Sequence, residues 1–282
     1  MSAIRIVTDS ASDLDQARAD EAGIVVVPLT IRFGENEFVD RVELTIDEFY
    51  ERMANEEDLP ETATPAPGAF EEAFGRAADE GAEGVVCINL SSELSATMQA
   101  AQNAAKAVGD RLDVRVIDSK SITSGLGSMV LQASEAADAG ASVDEVEALV
   151  AGAIDRTRVF GTLDTLENLK KGGRIGGAQH LVGTMLSIKP IVDISEGVVE
   201  EASKQRTRRK ALGWIRDRIA EEDGVEQVAV MHARAPDVDD FLGMLEPVVD
   251  IAGIRVDQIG AVIGTHGGPG VIGVTYQVAD QG

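Results

Sequence analysis

Cysteine is almost missing from this 282-residue chain, which holds only Cys87. A single thiol excludes an intramolecular disulfide framework and every metal site built on several cysteines. Aromatic residues amount to only 4%, too little material for base-stacking or sugar-stacking platforms. Positive charge is scarce as well. Against 49 Asp+Glu stand 25 Lys+Arg, a net charge of −24, and only 7 of the 25 are lysine. Phosphate recognition needs a clustered positive field, so the surface as a whole is not that of a nucleic-acid binder. A Lys-poor, acid-rich surface suits a high-salt cytoplasm or a GC-rich genome. Long apolar runs are also lacking: the longest are strand-sized, far below the roughly 20 residues of a membrane span. The opening MSAIRIVTDS reads as a strand flanked by Arg5 and Asp9, not as a signal-peptide core. The chain is therefore expected in the cytoplasm.

What remains, 44% hydrophobic and 26% charged residues, is an ordinary globular composition at a length of one large or two medium domains. Short β-branched runs alternate with alanine-rich helical stretches through the first half. IRIVTD (4–9), IVVVPLTIRF (24–33), GVVCINL (84–90) and VRVID (114–118) read as strands. Helices are expected within 10–23, capped by Ser12 or Asp13, and over 45–57, 69–80, 95–108, 122–139 and 143–156. Such alternation predicts a doubly wound parallel sheet, an α/β fold. The second half reads as a hairpin (187–194 and 198–206), a basic helix (207–222), a strand, a helix at 237–250 and two strands around THGGPG. That mixture predicts an α+β domain. The boundary is set near residue 160, giving units 1–160 and 161–282, with a ligand expected between them.

Three segments put hydroxyl residues just after an apolar strand: 8–12, 90–97 and 118–125. At the carboxyl edge of a doubly wound sheet these loops converge, and hydroxyls beside helix N-termini suit an anionic head group. GTHGGPG (264–270) adds His266, read as lying at a strand end, within a glycine-rich turn that lets the backbone approach a ligand. His180 and His232 have no neighbours at metal-ligand spacing. Cys87 sits mid-strand and reads as plain core. The phosphate loop, the hydrolase nucleophile elbow and the paired-histidine zinc helix are all missing. No metal and no cofactor is expected. Two basic islands interrupt the acidic chain, Lys170, Lys171 and Arg174, and then residues 204–218.

Taken in order, TDSASDL (8–14), ETATPAPGAF (61–70), LSSELSATMQAA (90–101), VIDSKSITSGLG (116–127), LKKGGRIGG (169–177), KPIV (189–192) and HGGPGVIG (266–273) resemble the DegV family of bacterial fatty-acid-binding proteins. Its best-understood members look like the fatty-acid-carrying subunit of bacterial fatty acid kinase. The resemblance spans essentially the whole chain. It implies a C14–C18 fatty acid buried between two domains, its carboxylate held by Thr62, Ser95 and His266, with Arg206 near the head group. It also implies that Lys170, Lys171 and above all Arg174 dock an ATP-binding kinase subunit, to which the carrier, itself no enzyme and by default a monomer, presents the carboxylate for acyl-phosphate formation. The family's TSQPS motif is here Thr62-Ala63-Thr64-Pro65-Ala66, both serines replaced by alanine, and its LSGT motif is LSAT. Two other readings are carried forward. One is a stand-alone hydrolase or acyltransferase with Ser95 as nucleophile and His266 as its base; the other is a lipid-sensing regulator whose partner is not a kinase.

Overall fold

The computed structural model describes residues 3–56, 58–181 and 188–279. Its strands, in chain order, are β1 (Ile4–Asp9), β2 (Val25–Val27), β3 (Thr30–Phe33), β4 (Asn36–Val39), β5 (Glu61–Ala63), β6 (Gly84–Asn89), β7 (Asp113–Asp118), β8 (Thr157–Thr162), β9 (Lys189–Asp193), β10 (Glu200–Gln205), β11 (Val225–His232), β12 (Arg255–Gln258) and β13 (Ile272–Val278).

The first sheet is wholly parallel, in the order β2-β1-β6-β7. Its central strand β6 is buried along its full length, which is why VVCIN carries no polar alternation. Val85 and Cys87 face the helices Ala69–Asp79 and Thr97–Val108, packing on Phe74, Ala101 and Ala104. Val86 and Ile88 face the other way, toward Leu126, Val130, Val146 and Val150 of the helices Thr123–Asp138 and Val143–Arg156. Helices on both faces make this the doubly wound unit expected from the strand–helix alternation.

The second sheet is mixed, in the order β10-β9-β8-β13-β11-β12, antiparallel except for the β11–β12 pair. One face is covered by the helices Arg208–Ala220 and Val238–Leu245, whose Leu212, Ile215, Phe241 and Leu245 pack on Val230, Ile272 and Tyr276. Val159, Val192 and Met231, on the other face, join the same apolar cluster as Leu126 and Ile88 of the parallel half. The α+β expectation for this half holds. A buried polar tie crosses between the halves: Asp257 of β12 accepts from Arg18 (2.9 Å) and from Ser124 (2.8 Å).

The structure corrects several local expectations. The run 24–33 is not one strand, because it breaks at Pro28-Leu29: β2 joins the parallel sheet, while β3 joins a small antiparallel sheet, β4-β3-β5. Within 10–23 the helix proper spans only Gln16–Glu21, and its cap is Asp15, not Ser12 or Asp13. The helix expected over 237–250 stops at Leu245, ahead of Pro247. The predicted helix 45–57 runs Ile46–Asn55, closed at its start by a Thr45–Glu48 capping box; Glu57 and Ser187, the first residue of the expected hairpin, lie outside the described residues. His266 is not at a strand end: it closes the short helix Ala261–Gly267.

Candidate functional site

Between the carboxyl edge of the parallel sheet and the inner face of the mixed sheet lies a narrow, partly open cavity whose empty space, solvent at its mouth included, comes to about 820 Å³. Of its 24 lining residues, 16 are apolar and three are glycine; the five others are Thr62, Ser95, Thr123, Arg174 and His266. Thr62, Arg174 and His266 also line a polar recess beside it, with Arg32, Glu61 and Lys171, and Ser95 and Arg174 line a third, shallower one. Four of the five polar residues therefore stand where an apolar tunnel meets the polar surface.

Each arrives there for a local reason. Thr62 lies on β5, held in register opposite Ile31 of β3. Ser95 sits in the β6-to-helix connection, whose start is pinned by Asp9: Oδ2 accepts from the Leu90 N–H (2.9 Å) and from Asn89 (3.1 Å). Ser95 Oγ lies 2.9 Å from Thr97 Oγ1 and accepts from the Thr97 N–H at 3.3 Å. His266 is carried by a helix clamped along its length. Asp13 accepts from the Gly260 N–H (2.9 Å), Tyr50 donates to the Ile259 carbonyl (2.9 Å), and Asn168 donates to the Thr265 carbonyl (3.1 Å).

His266 Nε2 lies 3.0 Å from Thr62 Oγ1, while its Nδ1 is buried with no partner among the described residues. Burial, aided by the nearby Arg174 charge, holds the ring's pKa down to about 4, so it is neutral at physiological pH. A neutral ring carries one N–H, and a buried donor left unpaired costs more than a bare lone pair. The proton therefore sits on Nε2 and is donated to Thr62 Oγ1, which frees the threonine hydroxyl to donate onward. Ser95 Oγ accepts from the Thr97 N–H; between the two hydroxyls either can be the donor, and where Thr97 donates, Ser95 Oγ is free to donate onward. In that arrangement Thr62 and Ser95 present two neutral O–H donors.

Arg174 is the one charged residue on the cavity wall. Its guanidinium donates to the Leu94 carbonyl (3.2 Å) and to the Gly172 carbonyl, and it has no carboxylate partner among the described residues. The two glycines before it have separate roles. A Cβ on Gly172 would lie 2.3 Å from His266 Nδ1, so the absence of a side chain lets the loop pack against the ring. Gly173 adopts φ +71°, the left-handed region that favours glycine.

The sequence of this chain matches the family model described as "Uncharacterised protein, DegV family" over residues 3–279. The chain belongs to the DegV family. It is 36% identical, over 96% of its length and 97% of the other's, to a DegV domain-containing protein of Streptomyces coelicolor. A fatty acid binding DegV family protein from Thermus thermophilus has the same fold, with a TM-score of 0.86 and 32% identity across 99% of this chain and 100% of that one. DegV from Bacillus subtilis, a fatty acid binding protein, superposes with a TM-score of 0.85 at 28% identity, covering 99% and 100%. A stearic acid-binding protein from Eubacterium ventriosum gives 0.86 at 26%, covering 98% of both.

Against this DegV frame, Thr62, Ser95, His266 and Arg174 come together at one end of the cavity. Arg206 does not: it is exposed, just before the helix Arg208–Ala220, and lines none of the recesses described above. Lys170 is exposed, and Lys171, on the rim of the polar recess, pairs with Glu167 at 3.2 Å. Most of the second basic island is neutralised locally, Arg208 by Asp237 and Arg218 by Glu221 and Glu222. The serines of 8–12 line no part of the cavity; Ser10 Oγ accepts from the Leu29 N–H instead. Thr123, not singled out from the sequence, does line it, and its Oγ1 is buried without a partner among the described residues. Its only signal was membership of the hydroxyl-rich loop 118–125. Ser95 and His266 are not hydrogen-bonded to each other, since each has another partner, and Gly172 occupies the position beside Nδ1 where an orienting acid would stand. With the ring's pKa near 4, this is not the geometry of a serine nucleophile and its base.

Among the described residues no helix is long and apolar enough to cross a membrane.

Proposed function

We propose that this protein binds one long-chain fatty acid, C14–C18, with its tail in the apolar cavity and its carboxylate at Thr62, Ser95 and His266, and presents that carboxylate to a separate ATP-dependent kinase subunit. The observation that carries the reading is the segregation of the cavity: 16 apolar residues line it, and four of its five polar ones, Thr62, Ser95, Arg174 and His266, also line the polar recesses. Burying a dozen methylenes yields about 10 kcal/mol gross, at roughly 0.8 kcal/mol each, so the tail dominates affinity. An unpartnered buried carboxylate would forfeit much of that gain. Thr62 and Ser95 supply hydrogen bonds to it. Fatty acid binding by the Thermus thermophilus and Bacillus subtilis DegV proteins supports the same assignment.

The polar recess outside Thr62 and His266, with Lys171 and Arg174 on its wall, gives a kinase-held phosphate access to the carboxylate. Arg174 and the Lys170–Lys171 pair are accordingly assigned to the docking surface; Arg206 is assigned to it as well, on account of its exposure. The protein by itself makes no covalent bond in this scheme.

Native mass spectrometry and lipid extraction of the purified protein test the reading. A single C14–C18 fatty acid per chain is expected. A protein that carries no lipid, and takes up neither palmitate nor oleate when offered them, overturns it. For the kinase step, Arg174→Ala is expected to retain lipid and to lose acyl-phosphate formation with an added kinase subunit and ATP; loss of lipid instead would make Arg174 part of the binding site alone.

A further inference from the structure

The floor of the cavity contains a gap in the side-chain pattern of the mixed sheet. Along β8, Phe160 turns to the helix-covered face, packing on Trp214 and Tyr276, while Val159 and Gly161 face the cavity. Gly161 is paired with Val192 of β9 on one side and Gly273 of β13 on the other, and Gly273 is paired with Met231 of β11. One row across four strands therefore reads Val192, Gly161, Gly273, Met231, and all four line the cavity. The neighbouring row is filled, with Val159 paired to Thr275 and Thr275 to Ala229. Gly161 leaves one place in this row without a side chain, whereas over Gly273 the Met231 side chain already lies, its Cγ and Cε each 3.3 Å from an added Cβ.

The two glycines differ in why they are glycine. A Cβ on Gly273 would lie 2.9 Å from the Phe160 carbonyl oxygen and 3.3 Å from Met231, so the close cross-strand packing itself excludes a side chain. At Gly161 no heavy atom comes nearer than 3.9 Å to an added Cβ, and its φ is not in the left-handed region. Neither sterics nor backbone conformation requires glycine at 161. What it keeps open is the cavity. Val271 stands between Gly161 and the helix of His266: it lies 3.2 Å from a Cβ on Gly267, next to His266, and 3.9 Å from one on Gly161.

We infer that Gly161 sets the acyl-chain length this protein accepts, the open space above it receiving part of the tail. The inference rests on the fatty-acid reading above and adds to it a residue that determines specificity. A side chain at 161 occupies the path of the tail and leaves the head-group donors untouched.

The test uses the full-length, delipidated protein and its Gly161→Ala and Gly161→Leu variants, with laurate, palmitate and stearate binding measured by equilibrium dialysis and folding checked by thermal melts. Each methylene denied a place in the cavity weakens binding about fourfold. Gly161→Leu is therefore expected to hold laurate within about threefold of wild type and to lose stearate by about 50-fold, with Gly161→Ala shifted less in the same direction. Should the leucine variant not fold, the laurate-to-stearate ratio of the alanine variant decides. A ratio unchanged from wild type overturns the inference, and so does a folded variant that loses all three lipids equally. Wild-type protein that binds none of the three overturns the fatty-acid reading itself, before any variant is considered.

Discussion

Thr62 and His266, 204 residues apart in the chain, meet through a 3.0 Å hydrogen bond between Oγ1 and Nε2, and that bond sets the direction of donation at the mouth of the cavity. Because the ring gives its single N–H to Thr62, the threonine hydroxyl is left to point its own proton at a ligand. Thr62→Val keeps the shape and removes the donor. It is expected to weaken palmitate binding by about 1–3 kcal/mol, or roughly 5- to 150-fold, whereas Thr62→Ser stays near wild type. Isothermal titration calorimetry checks both; valine and serine variants of equal affinity would remove Thr62 from the head-group site.

The same bond depends on a neutral ring. Burial, and then the Arg174 charge, holds the His266 pKa down to about 4. In an NMR titration the His266 ring resonances are expected to stay flat from pH 8 to pH 6 and to move only below pH 5. Arg174→Gln removes the smaller of the two causes, so the midpoint should rise but remain below the ordinary 6.5. A midpoint near 6.5 in the wild type would mean that the ring is solvated and not held as described.

Gly172 supplies the space that His266 occupies. A Cβ there would meet Nδ1 at 2.3 Å, Cε1 at 2.9 Å and the Asn168 carbonyl at 3.1 Å. The carbonyl is backbone and cannot yield cheaply, so in Gly172→Ala the ring must move and its bond to Thr62 breaks. The expected result is a loss of palmitate affinity at least as large as that of Thr62→Val, with a changed His266 titration. A Gly213→Ala exchange, in open space on the helix Arg208–Ala220, serves as a control that should change neither.

Strand–helix alternation made the parallel sheet legible because each element there is long enough to show its period, VVCIN by continuous burial and the helices by their apolar stripes. The small β4-β3-β5 sheet was not legible, since strands of three or four residues carry no period, and Pro28 was hidden inside one apolar run. AVIGTHG forms a helix although its glycines disfavour one; the reason is tertiary, namely the clamps from Asp13, Tyr50 and Asn168. Thr62, Ser95, His266 and Arg174 were all picked out by motif, yet nothing local indicates that Gly172 touches His266. The Gly161–Gly273 row is further from sequence still. It exists only through the register of four strands.

Asp13 gives the protein a pH dependence of a sign opposite to that of most carboxylates. It is buried, accepts from the Gly260 N–H and from Arg41 Nη2, both at 2.9 Å, and its second oxygen has no partner among the described residues. Burial outweighs Arg41 and pushes the carboxyl up to about 7, from 3.8. A carboxyl raised in the folded state holds its proton more tightly there than in the unfolded chain. Its contribution to stability is therefore complete below about pH 4 and is lost as pH climbs to about 7, at about 1.4 kcal/mol per pH unit. His266 runs the other way: a ring lowered from 6.5 to about 4 removes stability as pH falls through that window. The two slopes oppose each other in the wild type, so the difference between wild type and Asp13→Asn is the quantity to measure. In urea unfolding the wild type should gain on the variant by about 2–3 kcal/mol on going from pH 8 to pH 5. A difference that stays constant between those two pH values would show that Asp13 titrates as an ordinary carboxylate, and that the N-terminus of the His266 helix is held by a charge that never changes.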